Sequence, residues 1–516
     1  MTRTPIGACA AFLAAVSLTS MAAPPQPQLH VAPNGIKQLR FNWEPVSGAT
    51  SYELWFQSSA AAAETRFFQM PSSQTSVVNN VAVHLLDWSN SRYWLKACDS
   101  SGCTSSSKIS PVNQMLGTIG LFKNPAEQGA TQFGESVAVS ADGTTLAVVA
   151  PAEAVNGDYL LNGSIYIWRR STSGWAFEAQ IPLDAHLSGL TNDAQVSLNR
   201  TGFVLAVALP SDSEYSGPDG ANHGLVKVFR KFGTDKWRHD DTIAPGTSTE
   251  SFAASWMAID DAGTTLAMKG AGIQGGVDIF TYGRYGTWEH SGSAIGHGED
   301  FNYPSGCTGF ALSGDGKVLA FECYNDDSGQ RWFDTYAAPD WKRRDTFTVT
   351  GSAMFAADLD FTGDLLAATV RTQNGGTQES RVEVWRRVGG AYQLDGTLRR
   401  GAWEAAFPGT AASFGLAARF SRDDKLLVVS DTQDHGQGVG SLAPPLAAGS
   451  TSRGAVYVWE RRTIGWVLRR MVKPGSADAA YSTAGFGNAL GLGDNGRTLA
   501  VGHSAANSNA GVLWLY

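Results

Sequence analysis

Short runs of alternating apolar and polar side chains fill the chain, separated by clusters of glycine, proline, asparagine and aspartate. That period of two predicts half-buried strands joined by tight turns. Early runs are Leu39-Arg-Phe-Asn-Trp43, Tyr52-Glu-Leu-Trp-Phe56, Thr75-Ser-Val-Val78 and Tyr93-Trp-Leu-Lys-Ala97, with a turn at Pro45-Val-Ser-Gly-Ala-Thr50. They predict a small β-sandwich over 28–112.

Beyond it one unit keeps returning. Its clearest copy runs Phe133-Gly-Glu-Ser-Val-Ala-Val-Ser-Ala-Asp-Gly-Thr-Thr-Leu-Ala-Val-Val-Ala-Pro151, then Gly163-Ser-Ile-Tyr-Ile-Trp168, then Trp175-Ala-Phe-Glu-Ala-Gln-Ile181. Each piece reads as a short strand, and four strands make one propeller blade. The tight turn recurs as Gly143 with Leu146, Gly202 with Leu205, Gly263 with Leu266, Gly316 with Leu319, Gly363 with Leu366 and Gly496 with Leu499, and Asp424 with Leu427 supplies a seventh copy. Glycine suits a hairpin position that demands positive φ, and aspartate tolerates it next best. The final unit stops at Tyr516 after a third strand, while Met115-Leu-Gly-Thr-Ile-Gly-Leu121 reads as a fourth strand without a blade. The two are expected to pair and close the ring. The fold expected is all-β: a sandwich followed by a seven-bladed β-propeller over 115–516, closed by an N-terminal strand.

Composition agrees with many strands and turns: 58 glycines, 17% charged residues, and 16 Trp, 14 Tyr and 24 Phe. Residues 1–22 combine Arg3, an apolar run from Ile6 to Leu18 and small residues before Pro24, the pattern of an export signal. The run is shorter than the roughly 20 residues a spanning helix needs, so no membrane span is expected. The expected location is secreted or periplasmic. The formal net charge of −8 excludes the basic stripe that a nucleic-acid partner requires. In an oxidising compartment the local pairs Cys98 with Cys103 and Cys307 with Cys323 predict disulfides, buried thiols being the alternative. Cys307 and Cys323 are equidistant from Asp315, so a symmetric hairpin would set them face to face, and a one-residue bulge would break that register.

Two resemblances sharpen this reading. The string Trp43-Glu-Pro-Val-Ser-Gly-Ala-Thr-Ser-Tyr-Glu-Leu54, with Tyr93-Trp-Leu-Lys-Ala-Cys-Asp-Ser-Ser-Gly-Cys103, resembles bacterial fibronectin type III domains, which implies core roles for Trp43 and Tyr52. Phe133-Gly134, Phe414-Gly415 and Phe486-Gly487, with Val149-Ala-Pro151 and Ala208-Leu-Pro210, resemble the FG-GAP repeats of integrin α-like propellers. That family binds calcium in Asp-rich hairpins. Here Ser140-Ala-Asp-Gly143 and Gly493-Asp-Asn-Gly496 offer one carboxylate each, and Asp358-Leu-Asp-Phe-Thr-Gly-Asp364 has Leu366 where a closing carboxylate belongs, so neither metal nor cofactor is expected.

Nothing in the chain spells a nucleophile elbow, metal motif or phosphate loop, and the nine histidines are scattered. A binding protein of the adhesion or surface-recognition kind is therefore expected, monomeric, with an unknown protein or glycan ligand and no enzyme activity. The long loops between second and third strands mark its face. They carry Asp158, Tyr159, Asp212, Glu214, Tyr215, Asp219, Asp326, Asp327, Asp431, Asp434 and His435. The alternatives are a propeller hydrolase or lyase acting on extracellular polymers, which needs acidic groups converging on the central channel, and an architectural envelope component.

Overall fold

The computed structural model describes residues 22–85, 88–127, 129–153, 163–183, 194–210, 212, 224–233, 236–244, 256–269, 276–294, 305–325, 328–351, 353–374, 377–402, 405, 413–444, 446–449 and 451–516. The chain divides into two compact units. The smaller comprises the residues up to Ala32, Arg40–Val77 and Ser89–Pro111; the larger comprises Pro33–Leu39, Val78–Trp88 and Val112–Tyr516.

In the smaller unit Thr65–Pro71, Ser51–Gln57, Arg92–Asp99 and Gly102–Ser105 form an antiparallel sheet in that order. Apart from that sheet, the strands His30–Pro33, Gln38–Asn42 and Ser76–Asn80 pair in this order. Phe41, Trp43, Tyr52, Leu54 and Leu95 are buried, as the alternation requires, with Trp43 edge-on to Tyr52 at 5.3 Å between centroids. Asp99 Oδ1 accepts the N–H groups of Ser101 (2.8 Å) and Gly102 (3.1 Å), holding the turn across which Cys98 and Cys103 form a disulfide.

The larger unit is a β-propeller of four-stranded antiparallel sheets. In chain order, sheet one is Val137–Val139, Thr145–Ala150, Ser164–Ser171 and Gly174–Pro182; sheet two is Gln195–Leu198, Val204–Leu209, Leu225–Lys231 and Trp237–Ile243. Sheet three is Met257–Ile259, Thr265–Lys269, Val277–Tyr282 and Trp288–Ala294; sheet four is Ser305–Leu312, Val318–Asn325, Gln330–Ala337 and Lys342–Val349. Sheet five is Ala353–Leu359, Leu365–Asn374, Thr377–Val388 and Ala391–Leu398; sheet six is Phe414–Phe420, Leu426–Asp431, Ala455–Arg462 and Gly465–Val472. Sheet seven is Leu490–Gly493, Thr498–His503 and Val512–Leu515, completed by Gly120–Phe122. The first strands touch in succession from sheet one to sheet seven, and sheet seven returns to sheet one. The second strands of sheets one and two are apolar on both sides because each sheet is packed between two neighbours: Leu146 to Ala150 and Leu205 to Ala208 are all fully buried.

In sheets one to six the hairpin between first and second strands is held by one side-chain oxygen at its start. Ser140, Asn199, Asp260, Ser313, Asp360 and Ser421 accept the N–H of the residue five positions on, at 2.9–3.1 Å. Asp424 takes the glycine's place at φ 58°, the left-handed conformation expected of it. The Phe-Gly pairs have a steric cause. A Cβ on Gly134 would lie 2.6 Å from Val512 O, where backbone passes backbone between neighbouring sheets, and one on Gly415 would lie 2.6 Å from Thr369 Oγ1.

Two details depart from the sequence reading. Residues Val112–Thr118 form a 3₁₀ helix, leaving only Gly120–Phe122 as strand, because Lys37 N–H takes the Thr118 carbonyl (2.7 Å) and turns the backbone away from the sheet. In sheet four, the register from Leu312↔Leu319 to Phe310↔Phe321 would set Cys307 opposite Tyr324; a bulge between Cys307 and Phe310 moves it opposite Cys323. The bulge therefore creates the facing pair instead of breaking it, and Cys323 is disulfide-bonded.

Candidate functional site

An axial cavity of about 740 Å³ is walled by the first strands of all these sheets. Toward the hairpin turns it narrows into a second space of about 170 Å³. The first strands are not equivalent. Those of sheets one, two, three and seven have three or four residues, whereas those of sheets four, five and six have seven or eight and each carries a bulge. A bulge bends a strand and re-aims its side chains. In sheet six it leaves Leu416 42% exposed, on a strand otherwise buried except at Arg419.

Two charged side chains, Asp358 of sheet five and Arg419 of sheet six, line both spaces. Asp358 Oδ2 accepts the Phe420 N–H (2.8 Å), and its Oδ1 lies 3.9 Å from Arg419 Nη1. Burial pushes the Asp358 carboxyl up to about 6, opposed by the Arg419 charge and the Phe420 N–H and assisted by the nearby Asp360 charge. Arg419 Nη1 also donates to its neighbour's carbonyl, Ala418 O (2.7 Å).

Below them, Arg422 from the turn of sheet six donates through Nε to Asp261 Oδ2 of sheet three at 2.7 Å. Its guanidinium lies 4.0 Å from the ring centroid of Phe361, in the turn of sheet five. Burial raises the Asp261 carboxyl while Arg422 opposes the rise. Around this pair, turn joins turn through the backbone: Asp494 N–H to Ala141 O (3.0 Å), Asp142 to Arg200 (3.0 Å), Arg200 to Asp261 (2.9 Å) and Asp261 to Gly314 (2.8 Å). At the other end stand Glu135, Gln195, Trp256 and Asn488, with Asn488 Nδ2 donating to the Gly134 and Glu135 carbonyls, each at 3.2 Å.

Of the loop residues singled out by sequence, Asp158, Tyr159, Glu214, Tyr215, Asp219, Asp326 and Asp327 lie outside the described residues. Asp212, Asp431, Asp434 and His435 are buried, so they form no open rim. Ser413 Oγ donates to Asp431, as does Gln433 N–H (3.2 Å); burial pushes its carboxyl up to about 7, opposed by the Ser413 hydrogen bond and raised further by the Asp434 charge. Asp434 accepts from Lys473 Nζ, from Tyr457 Oη (2.6 Å) and from Gly436 N–H (2.8 Å). Burial works against its charge, but the Lys473 ammonium and these donors hold the carboxyl below its ordinary value. The loop these groups pin returns as Ser441–Leu442, a fifth strand on the outer edge of sheet six. In sheet one a tyrosine likewise meets a buried carboxylate, Tyr166 Oη donating to Glu153 (2.8 Å).

Sequence reading passed over Arg419, Leu416 and Arg422 and treated Asp358 only as a departure from a calcium loop. The available signal was Ala418-Arg-Phe420, where the same register in other first strands reads Val137-Ala-Val139 or Val196-Ser-Leu198. Among the described residues no group of three or more His, Cys, Asp or Glu side chains is placed to hold a metal ion, and no helix is long and apolar enough to cross a membrane.

No protein-family model matches the chain, and no curated protein does. Solved structures similar to it include hydrazine synthase of Kuenenia stuttgartiensis, 13% identical over 76% of this chain and 97% of that one, with a TM-score of 0.47. The Cps50 (Swd1) β-propeller domain of Myceliophteria thermophila is 11% identical over 77% and 98%, TM-score 0.46. A putative 6-phosphogluconolactonase of Bacteroides fragilis is 11% identical over 84% and 97%, TM-score 0.40. With TM-scores below 0.5, none of these likenesses bears on what this chain binds or does.

Proposed function

We propose that this chain is a secreted or envelope-associated binding protein of the adhesion or surface-recognition kind, in which a fibronectin type III-like domain precedes a seven-bladed, FG-GAP-like propeller, and that the propeller takes its protein or glycan ligand at the axial cavity. The observation carrying the reading is the asymmetry of the cavity wall: three successive bulged strands, with Asp358, Leu416 and Arg419 turned toward one space. Its volume falls within the range of about 300–1,000 Å³ typical of sites that enclose a small ligand or one segment of a larger one. The blade count is supported by the return of sheet seven onto sheet one, and the FG-GAP likeness by the close approaches at Gly134 and Gly415. The fibronectin likeness is supported by its strand orders, three strands in one sheet and four in the other.

The carboxyl of Asp358, pushed up to about 6 inside the cavity, favours a second reading, a polymer hydrolase with Asp358 as acid. One experiment separates the two. The mature protein and its Leu416→Arg variant, checked for folding by circular dichroism, are applied to a glycan array and to purified envelope proteins, and reducing ends are assayed on every glycan. Binding by the wild type that falls at least tenfold in the variant supports the binding reading. Unchanged binding sinks the cavity as the site. Release of reducing ends that disappears in Asp358→Asn replaces binding with hydrolysis.

A further inference from the structure

The cavity wall also discriminates between ligand chemistries. Arg419 is the side chain that matters. Its side chain is 45% exposed, and Nη1 alone is engaged, on Ala418 O; Asp358 Oδ1, at 3.9 Å, is beyond hydrogen-bond reach. Among the described residues no acceptor bonds to its Nε or Nη2. Other arginines of the propeller are used differently. Arg169, Arg230, Arg387 and Arg422 each donate through Nε to a carboxylate at 2.6–3.0 Å. Arg419 thus presents a planar pair of donors, Nε and Nη2, in a space bounded by protein, the geometry that receives a carboxylate through two parallel hydrogen bonds.

What surrounds it narrows the class. Leu416, three residues earlier on the same bulged strand, and Trp256, partly exposed, offer apolar surface; Gln195, Ser197 and Asn488 line the same cavity with amides and a hydroxyl. Apolar surface suits the C–H face of a pyranose ring, and amides and hydroxyls suit its hydroxyl groups. Asp358, on the Nη1 flank of Arg419, sets the charge the pair tolerates. A planar monoanion can meet the free edge of the guanidinium, while a compact dianion such as phosphate would bring a second negative charge toward the aspartate.

We infer that the ligand is an acidic sugar of the uronate class, whose carboxylate is received by Arg419 while its ring lies against Leu416 and Trp256. The inference rests on the axial cavity being the binding site.

Isothermal titration with an oligogalacturonate of three residues, the methyl ester of the same oligomer, and a tripeptide with a free C-terminal carboxylate tests it. The wild type is expected to bind the acid at least tenfold more tightly than the ester. Arg419→Ala should lose at least tenfold in affinity for the acid with an unchanged melting temperature, and Arg419→Lys should fall between. A further readout separates recognition from a structural role. The charges facing Asp358 are Arg419 and Asp360, with the Asp261–Arg422 pair lining the smaller space and Glu135 lining the far end of the larger one. Protonating Asp358 removes the negative charge beside the bound carboxylate, so binding of the acid tightens several-fold from pH 7.5 to pH 5.5, and Asp358→Asn abolishes that dependence. Equal binding of acid and ester, or full affinity in Arg419→Ala, overturns the carboxylate contact. Failure of all three probes overturns the uronate assignment, as does binding of the tripeptide without the sugar acid. Leu416→Arg tells the two levels apart: a neutral glycan whose binding depends on Leu416 leaves the cavity standing and removes only the carboxylate, whereas indifference to Leu416 removes the cavity itself.

Discussion

At the scale of single residues, Lys473 and Asp434 show how a loop rich in polar side chains can be turned inward. Both are fully buried, and Lys473 Nζ also donates to Gly454 O (3.0 Å), so the ion pair joins the start of the loop to the strand that follows it. Replacing one member leaves the other charged and unpaired away from water, which costs far more than the intact pair contributes. Lys473→Met is therefore expected to lower the unfolding free energy by about 3–5 kcal/mol. Urea denaturation measures it, and a loss below about 1 kcal/mol would show Asp434 to be adequately served by Tyr457 and Gly436 alone. Sequence showed that Asp431, Asp434 and His435 sit in a long loop, and from that their exposure seemed to follow. Their burial was not legible, because it depends on a lysine about forty positions later and on a loop that folds back as an extra strand. The hairpin glycines were legible for the opposite reason: positive φ is a local demand, met by Gly143, Gly202, Gly263, Gly316, Gly363 and Gly496 and by Asp424.

Among the elements, the strand Gly120–Phe122 works hardest for its length. It pairs with Val512–Leu515 in the register Leu513↔Phe122, Trp514↔Leu121 and Leu515↔Gly120, covering what would be a bare outer edge. Phe122 also meets Trp168 of sheet one edge-on at 5.1 Å, so one side chain fixes the last sheet against the first. Phe122→Ala is expected to cost about 3–5 kcal/mol, as large-to-small changes of buried aromatic residues do, and to expose the edge of sheet seven. Limited proteolysis and light scattering would register the second effect as new cleavage near residue 122 and self-association. A variant that stays monomeric, resists protease and keeps its melting temperature would assign closure to other contacts. This strand was legible as an unassigned apolar segment, but its length was not, since Lys37 competes for the Thr118 carbonyl. The bulges were equally hidden. An inserted residue leaves the apolar alternation almost intact, and only the pairing partner reveals it, as with Cys307 and Cys323. Leu416 owes its place to such a bulge and was invisible for that reason, whereas Asp358 and Arg419 hold the register of Ala138, Ser197 and Ala258 and stood in the sequence as charges where other blades carry small side chains.

Across the whole molecule the buried titratable groups pull in opposite directions with pH. His84 and His503 are buried, which holds them down at about 3 and about 4, so folding resists their protonation and their contribution to stability is lost as pH falls below the usual histidine range. Asp431 does the reverse. Burial raises its carboxyl to about 7, above the ordinary 3.8, so the folded state binds a proton that the unfolded chain has already released. The stability this contributes is complete below the unfolded value and is lost as pH rises toward 7, beyond which it stays lost. Since several groups overlap in that window, the informative quantity is a difference between variants. Asn keeps the shape of Asp431 without its titration. The wild type should therefore lose stability relative to Asp431→Asn by about 1.4 kcal/mol per pH unit between about pH 4 and pH 7, with the difference flat above that. Chemical denaturation of both proteins at four pH values supplies the slope. A difference that is flat across the window would mean that Asp431 is ionised throughout, held by Ser413 and by Arg400, whose Nε lies 4.0 Å away, and that burial at the root of the loop costs its charge little.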